Sequence, residues 1–243
     1  MAEILEGRNA VLEALRSQAH LERVLVARGT QPGGVMDEIR SLAAHVGIPV
    51  EEVPRQALDE RSARGAHQGV MAVVPAFRYA VLAEVLRAIA DRPRALVVVL
   101  DHVTDPGNLG AVIRSIEVAG GSAVVIPRER SASVGAVAHK TSAGATAHLP
   151  VVRVPNIARA LEDLKEARFW VVGGDERADD DLWAAPLDDR LALVLGAEGS
   201  GLARLTRERC DSLVSIPVAG HVSSLNVAQA ASVLAFEWVR RGA

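Results

Sequence analysis

Residues 95–100 read ALVVVL, six positions without a polar side chain on either face of an extended chain. A strand of that kind has to be covered on both sides, which is the situation of a parallel strand inside an α/β layer. Strand-like and helix-like runs alternate around it from end to end, so the pattern predicts an α/β fold with a largely parallel sheet. In the first part, helices are expected at residues 7–17, 36–45 and 56–62, with strands at 23–27, 49–53 and 70–74. These make a small α/β domain over residues 1–75. Pro75 and Pro93 bracket an amphipathic stretch with Leu82, Val85, Leu86 and Ile89 on one face, which predicts a linker helix within residues 76–93. Residues 94–243 form the larger domain. Its further strands are expected at 123–127, 149–152, 169–173, 191–195 and 213–217. Its helices are expected at 109–119, 134–141, 157–166 and 202–209, with a closing helix that runs to about residue 240.

Composition removes several function classes. The apolar runs fall far short of the roughly 20 residues a membrane span needs. The start, MAEILEGRNAVLEALRSQ, carries charges throughout and lacks the apolar core of a secretory signal, so a cytoplasmic protein is expected. A single cysteine, Cys210, forbids an intrachain disulfide and a cysteine-cluster zinc site, and the seven histidines show no metal-ligand spacing, so no metal is expected. Cys210 reads as a buried thiol rather than a nucleophile. The formal net charge of −3 gives no general attraction for nucleic acid, and an RNA partner has to be recognised by local patches. All but two of the 27 basic residues are arginine, which suits planar recognition of phosphates and bases; biased codon usage accounts for the same preference.

Three stretches carry candidate chemistry. In DHVTDPGNLGAVIRS, residues 101–115, Pro106 and Gly107 force a turn and Asn108 is expected as the N-cap of the next helix. Gly110 lets the first helical turn approach backbone or ligand closely, and Arg114, four residues on, shares its face. In LALVLGAEGSGL, residues 191–202, the glycine order is neither a dinucleotide fingerprint nor a P-loop. Glu198 within it repels phosphate, so a ligand with a cationic portion fits better. In SIPVAGHVSSLNVAQAASVLAFEW, residues 215–238, Ser223, Ser224 and Asn226 are all N-cap types, with Gln229 placed as in a capping box. One cap needs one such residue, so at least one of the others is expected to face a ligand.

Together the three stretches resemble the motifs of the SPOUT-class RNA 2′-O-ribose methyltransferases of the SpoU/TrmH branch. The match is N-L-G-x-x-x-R at 108–114, L-G-x-E-G-x-G at 195–201 and I-P…S-L-N-V at 216–227. The first part is similar to that family's small RNA-binding domain of the ribosomal protein L30e type, through GRNAVLEAL near the start and HQGV at 67–70. The subfamily most like it is the bacterial 23S rRNA guanosine 2′-O-methyltransferases, whose target lies in the P-loop of the peptidyl transferase region; Ala228 replaces a serine common there. The resemblance implies a deep trefoil knot in the parallel-sheet domain and a homodimer. It implies S-adenosylmethionine held through main-chain groups around Gly196, Ile216, Pro217 and Leu225, and Arg114, Asn108, Glu198, Ser224 and Asn226 as the catalytic set. A guanidinium with a pKa above about 12 is a poor literal base. Arg114 is therefore expected to stabilise the developing alkoxide and to grip a phosphate. Candidate RNA contacts are Arg128, Arg130 and Lys140 in the second part, and Arg55, Arg61, Arg64 and His67 in the first. Two rivals remain at this level: a nucleotide-dependent oxidoreductase, which lacks the glycine fingerprint, and a non-catalytic RNA-binding assembly factor that has kept the fold. Transfer RNA is the alternative substrate.

Overall fold

The computed structural model describes residues 3–17, 19–31, 33–62, 65–185, 187, 189–222 and 224–242. The chain divides into two compact units, Met1–Phe77 and Arg78–Ala243.

In the first unit the elements run β1 (Glu3–Glu6), α1 (Arg8–Arg16), β2 (Arg23–Ala27), α2 (Val35–His45), β3 (Val50–Val53), α3 (Arg55–Asp59) and β4 (Val70–Val74). The sheet order is β1-β4-β2-β3, with β4 antiparallel to both neighbours and β2 parallel to β3. One face packs Leu25, Ala27, Met71 and Val73 against Leu58 of α3. Met36, Ile39 and Ala43 of α2 follow helical spacing and are all buried, as are Val11, Leu12 and Leu15 of α1, which packs against it.

The second unit holds α4 (Leu82–Ala88), β5 (Ala95–Asp101), α5 (Pro106–Val118), β6 (Ala123–Pro127), α6 (Ala136–Thr141), β7 (Val151–Val154), α7 (Ile157–Glu166), β8 (Trp170–Gly174), β9 (Arg190–Gly196), α8 (Arg204–Arg209), β10 (Ser212–Val214) and α9 (Val227–Arg241). Its six strands are all parallel, in the order β10-β8-β9-β5-β6-β7. Every residue of β5 is buried, as its unbroken apolar run requires. Each valine or leucine so covered contributes about 1.5–3 kcal/mol.

The segment expected as a linker is part of this unit. Ala80 donates its N–H to Val151 and bridges Val152, and Leu82, Val85 and Ile89 enter the core beside β7 residues Val152 and Val154. Its apolar face is satisfied by the sheet edge, so the division falls between Phe77 and Arg78 rather than on either side of a free helix. The strand expected at 149–152 begins later, because Leu149, just past the 3-10 turn Ala145–Ala147, donates its N–H back to the Ala145 carbonyl. β10 is shorter than expected. It stops at Val214, Ser215 makes only an isolated bridge to Asp181, and Ile216 and Pro217 lie beyond the sheet.

The closing helix is fixed at its last turn. Arg241 donates to the carbonyls of Leu182 (2.8 Å), Trp183 (3.0 Å) and Ala185. It shares the buried carboxylate of Glu237 with Arg240. The hydrogen bond from Arg240 is the largest influence on that carboxyl, burial opposes it, and the bond from Arg241 adds to it, leaving it at about 2 against an ordinary 4.5. A group that binds its proton more weakly when folded stabilises the fold above its unfolded pKa, and that contribution drains away as the pH falls through the folded value. The melting-temperature difference between wild type and Glu237→Gln is therefore expected to be largest at neutral pH and to shrink between pH 4.5 and 2. A difference that does not vary with pH contradicts this account.

Candidate active site

Three loops at the C-terminal ends of parallel strands converge, where ligands of open α/β sheets bind. The first follows β5. Asp105, not Asn108, is the N-cap of α5: its carboxylate accepts the Asn108 N–H at 2.7 Å, with Pro106 in the first turn. Because the cap is provided three residues earlier, the Asn108 side chain is free to turn outward, and its Nδ2 donates to Glu198 Oε1 at 2.9 Å. Gly110 lies against α6, since a Cβ there would sit 2.4 Å from the Ala138 carbonyl oxygen and 1.9 Å from Thr141 Oγ1.

Glu198 is carried by the glycine loop after β9. Gly199 and Gly201 adopt φ of +81° and +65°, and the Gly201 N–H closes back on the Ala197 carbonyl at 2.9 Å. Gly196 is glycine for a different reason. A Cβ there would lie 2.1 Å from the Gly201 carbonyl carbon and 2.4 Å from the Leu202 nitrogen, so the loop folds onto its own strand end. Asp101 seals the fold: buried at the end of β5, it accepts the Ala203 N–H at 2.8 Å through one oxygen and meets His102 Nδ1 at 2.6 Å through the other. Sequence reasoning passed over Asp101, although an acid ending a wholly apolar strand was the available signal.

The third loop ends at Asn226, the N-cap of α9. Its Oδ1 accepts from the N–H groups of Ala228 (2.9 Å) and Gln229 (3.4 Å). Its Nδ2 donates to Glu198 Oε1 at 2.6 Å and to Asn108 Oδ1 at 3.0 Å. Asn108, Glu198 and Asn226 thus form one network drawn from three separate loops. Two amide donors share a single carboxylate oxygen, leaving Glu198 Oε2 without a partner among the described residues.

The other expected site residues are placed less tightly. Ser224, Pro217 and Leu225 are exposed and Ile216 is half-buried, while Ser223 lies outside the described residues. Arg114 stands on the exposed face of α5 and makes no hydrogen bond or ion pair among the described residues; it is not part of the network. Among those residues, the main-chain groups of 216–222, 224 and 225 also make no hydrogen bonds. Among the described residues they leave a run of donors and acceptors without a main-chain partner, beside the exposed side chains of Val218, Val222 and Leu225. Cys210, expected to be buried, is half-buried, and burial still pushes its thiol up to about 12, which disfavours the thiolate.

Of the candidate RNA contacts, Arg55, Arg61, Arg128, Arg130 and Lys140 are exposed, and Arg64 lies outside the described residues. His67 must be withdrawn. It is 3% exposed, meets Asp59 Oδ1 at 2.8 Å and accepts the Gly69 N–H on Nδ1 at 3.0 Å, so it braces a turn of the first unit.

Residues 95–236 match the SpoU rRNA methylase family, and residues 4–80 match the RNA 2′-O ribose methyltransferase substrate-binding family. Over 242 residues the chain is 41% identical to the 23S rRNA (guanosine-2′-O-)-methyltransferase RlmB of Escherichia coli strain K12, covering 99% of each chain. It is 46% identical over 242 residues to an uncharacterized tRNA/rRNA methyltransferase of Mycobacterium ulcerans, covering 98% of this chain and 77% of the relative. The crystal structure of the SpoU methyltransferase AviRb from Streptomyces viridochromogenes, in complex with AdoMet, is similar over 99% of this chain and 90% of that one, with a TM-score of 0.63 at 28% identity. The chain belongs to the SpoU family of RNA methyltransferases.

Proposed function

We propose that this chain transfers a methyl group from S-adenosylmethionine to the ribose 2′-oxygen of a guanosine in 23S rRNA, in the P-loop of the peptidyl transferase region. The observation that carries the chemistry is the Asn108–Glu198–Asn226 network beside an open run of main chain. What favours 23S rRNA is the full-length relative named for it. The mycobacterial relatives are named for tRNA as well as rRNA, which keeps transfer RNA as the second reading.

The residues present suit the cofactor. Main-chain amides and carbonyls at Ile216 to Val222, unpaired among the described residues and lacking an N–H only at Pro217, would hold an adenosine by its polar edge, with Leu225 and Val218 against its flat face. Glu198 offers a carboxylate to a cationic ligand, as its place in the glycine loop implies. When bound, S-adenosylmethionine supplies an electrophilic methyl group on a sulfonium. The 2′-oxygen forms the new O–C bond as the C–S electron pair returns to sulfur, and the hydroxyl proton leaves to solvent. Asn108 and Asn226 hold Glu198 in one orientation, and Ser224, exposed next to them, would bond the ribose. Placement is the larger part of such catalysis. Arg114 remains protonated and acts through charge, stabilising the developing alkoxide and a neighbouring phosphate.

The reading includes a deep trefoil knot, which the resemblance to the SpoU/TrmH methyltransferases implies. It includes a homodimer formed through α5 and α9. These helices pack together through Ser115 and Ser232 and leave Val118 65% and Phe236 46% exposed; a monomer mass by light scattering contradicts it. The first unit is the RNA-holding module of a cytoplasmic enzyme. Its described arginines divide: Arg16, Arg23 and Arg40 are ion-paired, whereas Arg8, Arg28, Arg55 and Arg61 have no acidic partner among the described residues. Incubation with labelled S-adenosylmethionine and unmodified 23S or transfer RNA tests the substrate. Label in 23S RNA is the expected result, and label in transfer RNA alone contradicts the rRNA assignment.

A further inference from the structure

Away from the three loops, the free edge of the parallel sheet opens a second feature. β7 is the last strand of the sheet, and among the described residues its outer edge pairs only at Ala80, which donates to Val151 and bridges Val152, with α4 packed beside it. Beside that bridge lies a cleft of about 600 Å³, lined by Tyr79, Arg128, Arg153, Asn156 and Arg159 among others. Strand alternation explains how arginine comes to face it. Val152 and Val154 point into the core, so Arg153 between them must point out.

The basic side chains are not equivalent. Arg159 is held by Glu162 at 3.2 Å and Asp163 at 3.1 Å. Arg128 and Arg153 are exposed and have no acidic partner among the described residues. Arg153 is positioned all the same: its Nη2 donates to the Arg128 carbonyl at 2.9 Å, and its guanidinium lies 5.3 Å from the centre of the Tyr79 ring. A fixed guanidinium beside an aromatic ring, with a second free guanidinium at the rim, offers two different things. The planar donors suit a phosphate, and the ring and guanidinium planes suit a nucleobase. An acidic peptide would use the arginines and leave the stacking surface without a role.

The cleft is also joined to the candidate active site. Tyr79 Oη accepts the Val134 N–H at 2.9 Å, pinning the loop that follows β6. The same loop donates from Ala132 to the Val103 carbonyl at 2.8 Å, in the turn that leads to Asn108. β5, which ends at Asp101, and β7 stand two strand spacings apart, about 10 Å. The cleft lies beyond β7 and Glu198 follows β9, three strands away, with both at the C-terminal end of the sheet.

We propose that this cleft is a subsite for a single-stranded RNA nucleotide close to the methylated one, with its phosphate on Arg128 and Arg153 and its base stacked at Tyr79. The inference rests on the reading of the chain as an RNA methyltransferase that acts on an exposed nucleotide. Its consequence is that the second unit, and not only the first, contributes to RNA affinity.

The test compares the full-length wild type with Arg128→Ala/Arg153→Ala, with Tyr79→Leu and with Tyr79→Phe, using a 23S rRNA fragment. The measurements are RNA Kd over a salt series, KM and kcat for methyl transfer, Kd for S-adenosylmethionine, and Tm. The double variant is expected to bind RNA about 10- to 100-fold more weakly, and its slope of log Kd against log salt should be smaller by about 1 to 2, one step for each lost phosphate contact. Its kcat at saturating RNA and its cofactor affinity should be unchanged. Tyr79→Leu, which loses both the ring and the Oη bond to Val134, should lose about 10-fold in RNA affinity with an unchanged salt slope, while Tyr79→Phe, which keeps the ring and loses that bond, should bind RNA as wild type does; an equal loss in both contradicts the stack. RNA affinity and salt slope equal to wild type in the double variant overturn the subsite, as does selective loss of binding to a protein partner with RNA binding intact. A wild type that binds RNA but methylates none overturns the functional reading instead, and the binding comparison still decides the subsite.

Discussion

Arg114→Ala is expected to lower the rate of methyl transfer by about 10²- to 10³-fold, the cost of removing one preorganised donor from a developing oxyanion. Cofactor affinity should stay within about twofold of wild type, because Arg114 lies outside the Asn108–Glu198–Asn226 network and the open main chain of residues 216–222. Folding should be equally unaffected. The side chain is exposed, and the buried face of α5 is made by Leu109, Val112, Ile113 and Ile116. The substitution therefore separates chemistry from structure more cleanly than any change within the network. Arg114→Lys sharpens the test: it keeps the charge and loses the planar fork, and the role proposed here predicts that most activity goes with the fork. Lysine at 114 retaining most turnover with normal RNA affinity contradicts that role.

The second large effect is structural in origin. Gly196→Ala places a methyl group 2.1 Å from the Gly201 carbonyl carbon, and the neighbour is backbone that cannot swing aside. The 197–203 loop has to lift. In doing so it gives up the Ala203 to Asp101 bond and carries Glu198 away from both asparagines. Overpacking of this kind costs about 1–3 kcal/mol. The loss of activity should be out of proportion to that cost, with turnover down about 100-fold or more, because displacement of positioning groups by about 1 Å is enough for such a loss. Differential scanning calorimetry beside a methyl-transfer assay reads both quantities. Unchanged Tm and unchanged turnover together contradict the close approach seen here.

The parallel-sheet unit was legible because its signals are local. ALVVVL could only be a covered strand, and the helix at Ile157–Glu166 shows a clean amphipathic pattern. What escaped depended on partners far along the chain. β1, Glu-Ile-Leu-Glu, has two charges in four residues and becomes a strand only because β4 lies antiparallel beside it. The apolar face of α4 announced burial without saying against what, and the answer, the edge beside β7, is a tertiary fact.

At the site, residue types were readable and their duties were not. Asn108 and Asp105 are both good caps, and spacing alone could not say that Asp105 would take that task and leave Asn108 to meet Glu198 ninety residues away. Asn226 was read as one of several alternatives and proves to do two jobs at once, capping α9 through its oxygen and holding Glu198 through its nitrogen. Gly196 was expected to face cofactor, and the structure gives its own loop as the reason no side chain fits. His67 looked like a surface contact because a lone histidine in a turn carries no sign of whether it is buried; Asp59 and the Gly69 amide account for it.

The most direct test of the central claim is nucleoside analysis of RNA after incubation with the full-length protein and isotopically labelled S-adenosylmethionine. Digestion of labelled 23S rRNA should release the label as 2′-O-methylguanosine, in a phosphodiester that resists alkali because its 2′-oxygen is blocked, and the label should be absent with Arg114→Ala. Label recovered on a base, or on an alkali-labile nucleotide, would contradict ribose 2′-O-methylation by this chain.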